Sequence, residues 1–412
     1  MKKIHGKMMK GITVKSLMML LALTGSNYCH AQQATIVVSN ATSAARTELI
    51  SLNMSEIKAK LGNAAPKKSE AFIVKNTRGQ QIGSQITHDG LLLIDASVRP
   101  HGSATYYVSI GKPYQQKVYA TGALYKIRKD DIAWENDRCA YRVYGPALQR
   151  TGERSFGTDI WVKNTPDTVV YERYIKDMNG NIKGDKMDAK VRDILTSFHL
   201  DHGNGLDPYR VGATLGLGAP SLMVGTQQYL PYCYKTYRIL DNGPLRFTVE
   251  LTYNPSTVGD MQNVVEHRII SLDKGSNFNK MTVWYDGLTT PTDFATGFPI
   301  HEEDTETKTF AKDYVSYADP TDNIEVNNSQ VYVGVLFPEG IDHTYYQLFD
   351  KKHDGATGHA LGLKRGLKNG EKYSYYFGAA WSKYDVRSYA EWQIRIKDYL
   401  DALKNPLQVE IK

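Results

Sequence analysis

Long stretches in which apolar and polar residues alternate dominate this chain, among them Leu245-Arg-Phe-Thr-Val-Glu-Leu-Thr-Tyr253, Val264-Val-Glu-His-Arg-Ile-Ile-Ser-Leu272, Asn279-Lys-Met-Thr-Val-Trp-Tyr285 and Gln330-Val-Tyr-Val-Gly-Val-Leu-Phe337. Side chains on a strand point to opposite faces in turn, so this period of two predicts strands with one face on a core. Many such strands without strand–helix alternation predict an all-β fold, a large and curved antiparallel sandwich of two sheets. Helical spacing is confined to a segment near Asp185 to Leu195 and to Ser388 to Leu403. In the latter, Tyr389, Trp392, Ile396, Tyr399, Leu400 and Leu403 predict a short C-terminal helix that Pro406 would stop.

Shorter strands come first, at Thr35–Ser39, Glu48–Leu52, Ala71–Lys75, Gly90–Ile94 and Thr105–Ile110, with turns at Asp89-Gly90 and Pro100-His-Gly102. They predict a small β-sandwich over residues 32–112. A linker at Gly111 to Gln116 separates it from a large domain, 118–412, expected to carry the site.

The first 31 residues have five lysines, no acid, an apolar run from Leu17 to Leu23 and the small-residue pattern Cys29-His-Ala31. This is the grammar of a secretory signal peptide cleaved after Ala31, and it predicts a soluble periplasmic protein. Nothing downstream reaches the ~20 continuous apolar residues of a membrane span. The formal charge of +6 comes largely from the leader, since taking five lysines from 50 basic residues leaves 45 against 44 acidic. No nucleic-acid partner is expected. Cys139 and Cys233 remain after cleavage, as one disulfide or as two buried thiols.

The densest collection of reactive groups lies in Ser197-Phe-His-Leu-Asp-His-Gly-Asn-Gly-Leu-Asp-Pro-Tyr-Arg-Val-Gly212. Gly203 and Gly205 let the backbone turn tightly there, as a loop carrying polar side chains requires. His199, His202, Asp207 and Tyr209 are the candidate catalytic residues: an imidazole base, a carboxylate and a phenol able to give up a proton. His199 and Asp201 are also candidate ligands for a divalent metal. The competing reading is a polar loop whose side chains only bind backbone.

Candidate substrate-binding residues come from three further places. Trp134-Glu135-Asn136-Asp-Arg138 combines a ring to stack on a sugar with a guanidinium suited to clamp a carboxylate, although a solvated turn would look the same. Trp161 is a second ring for a sugar groove, and His301-Glu302 sits at a strand end facing a rim. No GxSxG, phosphate loop or dinucleotide fingerprint is present.

Trp134-Glu-Asn-Asp-Arg-Cys-Ala-Tyr-Arg-Val-Tyr-Gly-Pro-Ala147, Asp159-Ile-Trp-Val-Lys163, the run from His199 to Tyr209, Val211-Gly-x-Thr-Leu-Gly216 and Leu240-Asp-Asn-Gly-Pro-Leu-Arg246 resemble the Bacteroidetes domain-of-unknown-function family numbered 4861. The resemblance implies a secreted protein of glycan-utilisation gene sets, with a sandwich similar to galactose mutarotases. It carries no catalytic residues.

The expected function is therefore a carbohydrate-active enzyme on an acidic, uronic-acid-containing plant-type glycan, cleaving by β-elimination. Arg138 with Asn136 would meet the carboxylate, His202 or His199 would serve as base and Tyr209 as acid. Two alternatives remain open. One is a glycoside hydrolase using Glu135 or Asp137 with Asp207 or Glu302. The other is a noncatalytic module that binds or epimerises sugars.

Overall fold

The computed structural model describes residues 32–180, 188–302, 307–320 and 328–412. The leader expected at 1–31 and the start of the helical segment near Asp185 lie outside these. The fold is all-β, and every strand pair among the described residues is antiparallel. No helix among them is long and apolar enough to cross a membrane.

Two small sheets open the chain. One orders Gln408–Ile411, Gln33–Asn40, Gly102–Gly111 and Ala71–Asn76; the other orders Arg46–Asn53, Leu91–Val98 and Ser84–Ile86. Their inner faces meet around Ile36, Val38, Leu52, Leu92, Ile94 and Val108. One strand of this sandwich comes from the far end of the chain, because Gln408–Ile411 pairs with Gln33–Asn40, Val409 opposite Val38. The helix Met54–Lys60, which the alternating pattern hides, is capped by Asn53, whose side chain accepts from the Ser55 N–H.

The large sandwich follows. Its main sheet orders Tyr234–Asn242, Arg246–Tyr253, Met261–Asp273, Phe278–Asp286, Tyr373–Trp381, Val331–Leu336, Tyr314–Asp319 and Lys308–Phe310. A five-stranded sheet, Gln227–Tyr229, Pro220–Val224, Thr292–Ile300, Ala356–Leu367 and His343–His353, covers one face. The period of two does the packing: along Met261–Asp273, Val264, Glu266, Arg268, Ile270 and Leu272 point inward. Two of those five are charged, and they survive burial as a pair, Arg268 Nε donating to Glu266 at 2.5 Å while the Tyr285 hydroxyl donates to the same carboxylate.

On the outer face, helix Tyr389–Lys404 lays Trp392, Ile396 and Leu400, spaced by four, onto the sheet. Ser388 caps it by accepting from the Glu391 N–H, and the Trp392 indole donates to the Val333 carbonyl at 3.0 Å. A third sheet, Gly205–Leu206, Asp159–Lys163, Cys139–Val143, Asp131–Glu135 and Thr121–Tyr125, closes one end of the large sandwich. Helices Val170–Gly180 and Ala189–Thr196 pack beside it.

Candidate functional site

That third sheet carries a charge cluster inside the protein. Cross-strand register places Arg142 opposite Asp159. Arg142 donates to Asp159 from Nε at 2.8 Å and also from Nη2, which reaches Asp207 at 2.8 Å, and its Nη1 lies 3.5 Å from Asp131. Trp161 and Phe198 cover the guanidinium at 5.2 and 5.7 Å. Three buried carboxylates share one guanidinium, an excess of negative charge held away from solvent. Burial, with the Asp159 charge added, pushes Asp207 up to about 7 against the pull of Arg142 and His199. Burial likewise pushes Asp131 up to about 6.

A second group stands beside the first. Strand Thr292–Ile300 delivers His301, and strand Tyr314–Asp319 ends at Asp319. His301 Nδ1 lies 3.0 and 3.2 Å from the two Asp319 oxygens. An ionised carboxylate only accepts, so Nδ1 carries the hydrogen. Tyr209 meets this imidazole at right angles, ring centroids 6.0 Å apart. Its hydroxyl is buried and, among the described residues, without a hydrogen-bond partner, and His301 Nε2 is buried as well. Burial holds the Tyr209 phenol well above its usual pKa, and the Asp319 and Asp159 charges add to the shift. For His301 burial works against the charged ring, but Asp319, by charge and hydrogen bond and helped by the Arg210 carbonyl, outweighs it and raises the pKa.

A cleft of about 470 Å³ is lined by Gly152 to Ser155, Gly212, Ala213, His353 and Asp354. Gly355, next in the turn, brings it to the imidazole: a Cβ there would lie 3.5 Å from Arg210 Nη1 and 4.0 Å from His301 Cδ2.

Of the residues expected at the site, the fold brings Asp207, Tyr209, His301 and the edge of His199 together. His199 sits half outside, its Nδ1 3.1 Å from the Asp207 carbonyl and 3.7 Å from the carboxylate, its ring against Phe198. His202 points away, its Nε2 2.9 Å from the Ser197 carbonyl on the surface. Asp201 closes its own loop by accepting from the Gly203 and Gly205 N–H groups, and its other oxygen lies 3.4 Å from Lys383. His199 and Asp201 thus serve different partners, and among the described residues no three His, Cys, Asp or Glu side chains converge on a metal position.

The expected sugar-contacting segment lies elsewhere, inside. Trp134 is buried between Tyr141 and Phe247, with its indole donating to Asn279 at 2.7 Å. Glu135 pairs with the buried Lys163 at 2.7 Å and accepts from the Val169 and Val170 N–H groups, which caps helix Val170–Gly180. Asn136 fastens a turn, donating to the Asp273 and Ser276 carbonyls and accepting from the N–H groups of Arg138 and Cys139. Arg138 is engaged by Asp385 and the Gly275 carbonyl. Trp161 is packed between Tyr174 and Phe198, and the Glu302 side chain is exposed. Cys139 and Cys233 are free and buried, and burial pushes the Cys139 thiol up to about 12, where it is inert.

A family model described as a domain of unknown function, DUF4861, matches residues 38–409. The chain belongs to the DUF4861 family. It is 26% identical over 336 residues to "Uncharacterized protein P7" of Formosa agariphila, covering 78% of each chain. Among solved structures it is similar to a protein in the glycosyl hydrolase family 38 from Enterococcus faecalis, with 9% identity, a TM-score of 0.49 and coverage of 92% of this chain and 47% of that one. An alpha-mannosidase from Enterococcus faecalis V583 is similar at a TM-score of 0.46 with 9% identity, covering 92% and 46%. The chain spans less than half the length of these two structures.

In this DUF4861 chain the residues that reading by segment passes over are Arg142, Asp159, Asp131 and Asp319. Each is a charge within a strand whose burial is complete, such as Cys139–Val143 or Tyr314–Asp319. That is the signal available beforehand: a charged residue in an otherwise apolar strand must find a partner inside.

Proposed function

We propose that the protein is an enzyme of acidic glycans that cleaves next to a uronic acid by β-elimination, with His301 as base and Tyr209 as acid. The observation that supports the reading is the meeting of two buried groups of suitable chemistry, His301 and Tyr209, whose rings stand at right angles with centroids 6.0 Å apart, with Asp319 fixing the imidazole tautomer. The glycan class rests on the setting that the family resemblance implies.

In the reaction, Nε2 takes the proton from C5, and the electron pair of that C–H bond becomes the C4–C5 double bond. The C4–O4 bond breaks, and the leaving oxygen takes the Tyr209 proton. The imidazolium then returns a proton to the phenolate, so the enzyme ends as it began. Tyr209 is protonated at neutral pH and so has a proton to give. Asp319 steadies the imidazolium that forms.

One observation favours a second reading. Asp207, held near neutrality at about 7, has the pKa of a glycosidase general acid. Product analysis separates the two. Incubation with acidic polysaccharides should yield new ultraviolet absorbance together with reducing ends, unaffected by EDTA, and both should fall about 10²-fold or more in His301→Ala and Tyr209→Phe. Reducing ends without absorbance would replace elimination by hydrolysis.

A further inference from the structure

We propose that the cleft beside His301 is a carboxylate-binding subsite, in which Arg210 and Arg154 hold the acid group of a uronic acid. This deepens the elimination reading and rests on it for the identity of the sugar.

The cleft's cations and anions differ in what they already do. Asp354 accepts from the Ala213 N–H at 2.9 Å and lies 3.5 Å from His353 Nδ1, while Glu153 lies 3.4 Å from the Ser155 hydroxyl. The side chains of Arg210 and Arg154 make no hydrogen bond or ion pair among the described residues; Arg154 lies over the Phe156 ring at 5.5 Å. The anions are therefore tied to the turn that shapes the cleft, and the guanidinium forks remain open. A guanidinium offers a carboxylate two parallel N–H donors, a match that neutral hexoses lack. The cleft volume of about 470 Å³ falls within the range of small-ligand sites, roughly 300–1,000 Å³.

Position supplies the second argument. Gly355 has φ +85°, and both Arg210 Nη1 and the His301 ring edge lie within 4.0 Å of where a Cβ would stand on it. The C5 carbon of a uronic acid is one bond from its carboxyl carbon. A carboxylate held on Arg210 would therefore bring the C5 hydrogen to the side of the protein where His301 waits. Arg210 also acts on that imidazole electrostatically, lowering its affinity for a proton. A bound carboxylate would cancel this and make the ring a stronger base, so the substrate would help prepare its own catalyst.

The test measures binding separately from turnover. Glucuronate and galacturonate, with glucose and galactose as neutral counterparts, are titrated into the full chain and followed by saturation-transfer NMR and calorimetry. Uronates should bind at least tenfold tighter than hexoses, and Arg210→Gln and Arg154→Gln should each weaken uronate binding about tenfold or more. His301→Ala should keep the uronate affinity, since that ring lies beside the carboxylate and does not hold it. Both arginines are exposed, so unchanged melting temperatures are expected and serve as the folding control. Equal affinity for uronates and hexoses, or a double arginine variant that binds uronates like the wild type, would overturn the subsite even if elimination products form. Uronate binding that depends on the arginines, with no ultraviolet product from any glycan, would instead sink the elimination reading and leave the subsite standing.

Discussion

The Asp319 carboxylate accepts the Nδ1–H of His301 in a 3.0 Å hydrogen bond, which puts the lone pair of the neutral ring, edge-on to Tyr209, on Nε2. A tautomer set in this way makes a buried histidine useful as a base. Asp319→Asn removes the charge while keeping the shape. Burial would then be the largest influence left on the ring, so its pKa should fall. We expect kcat/KM to drop about 10²-fold and the acidic limb of the pH profile to move to lower pH. A purely structural Asp319 would lower stability and leave that limb in place.

The same pair fixes the sign of a stability effect. A histidine whose folded pKa is raised contributes stability that is complete below its unfolded pKa and vanishes as pH rises through the folded value. The melting-temperature deficit of Asp319→Asn should therefore be larger at pH 6 than at pH 9, as thermal denaturation at the two pH values would register.

Asp207 gives the corresponding effect in a carboxylate. Its folded pKa, about 7, lies above the unfolded value, so stability present at low pH is lost as pH rises toward and through 7. From pH 5 to pH 8 the expected loss is on the order of a few kcal/mol. Asp207→Asn, which cannot ionise, should flatten this slope in urea titrations at the two pH values. An unchanged slope would mean that another group dominates.

Glu135 holds Lys163 and the first turn of helix Val170–Gly180. Glu135→Ala would strand a fully buried ammonium and open the cap, at a cost of about 3–5 kcal/mol in denaturant unfolding. The folded fraction should keep the wild-type KM, whereas a Glu135 that touched substrate would change it.

The C-terminal strand makes the last prediction. Gln408–Ile411 completes the sheet edge on Gln33–Asn40, and Leu407 is buried in the small sandwich core. Removing residues 406–412 exposes that edge and part of the core, so the melting temperature should fall by several degrees, on the order expected for about 1–3 kcal/mol. Hydrogen exchange should quicken in Gln33–Asn40 and stay slow in Met261–Asp273. Exchange that quickens equally in both would show that the two sandwiches unfold as one.

Much of the architecture was legible in the chain. Alternation in Met261–Asp273 and Phe278–Asp286 gave strands and their buried faces, and Trp392, Ile396 and Leu400 gave a helix stripe, because both follow from local geometry. The local signal misled where one pattern serves two purposes. Trp134 to Arg138 has the residue types of a sugar site, yet its groups fasten a hairpin to helix Val170–Gly180 and to the turn at Ser276.

Sequence alone determined the all-β class and the C-terminal helix, since periodicity acts over a few residues. Only the tertiary structure decided that Tyr209 would meet His301, that Asp319 would hold that imidazole, and that residue 409 would pair with residue 38. These residues are far apart in the chain, and no spacing records their approach. It is set by which sheet edges and strand ends the packing of three sheet systems brings into one place.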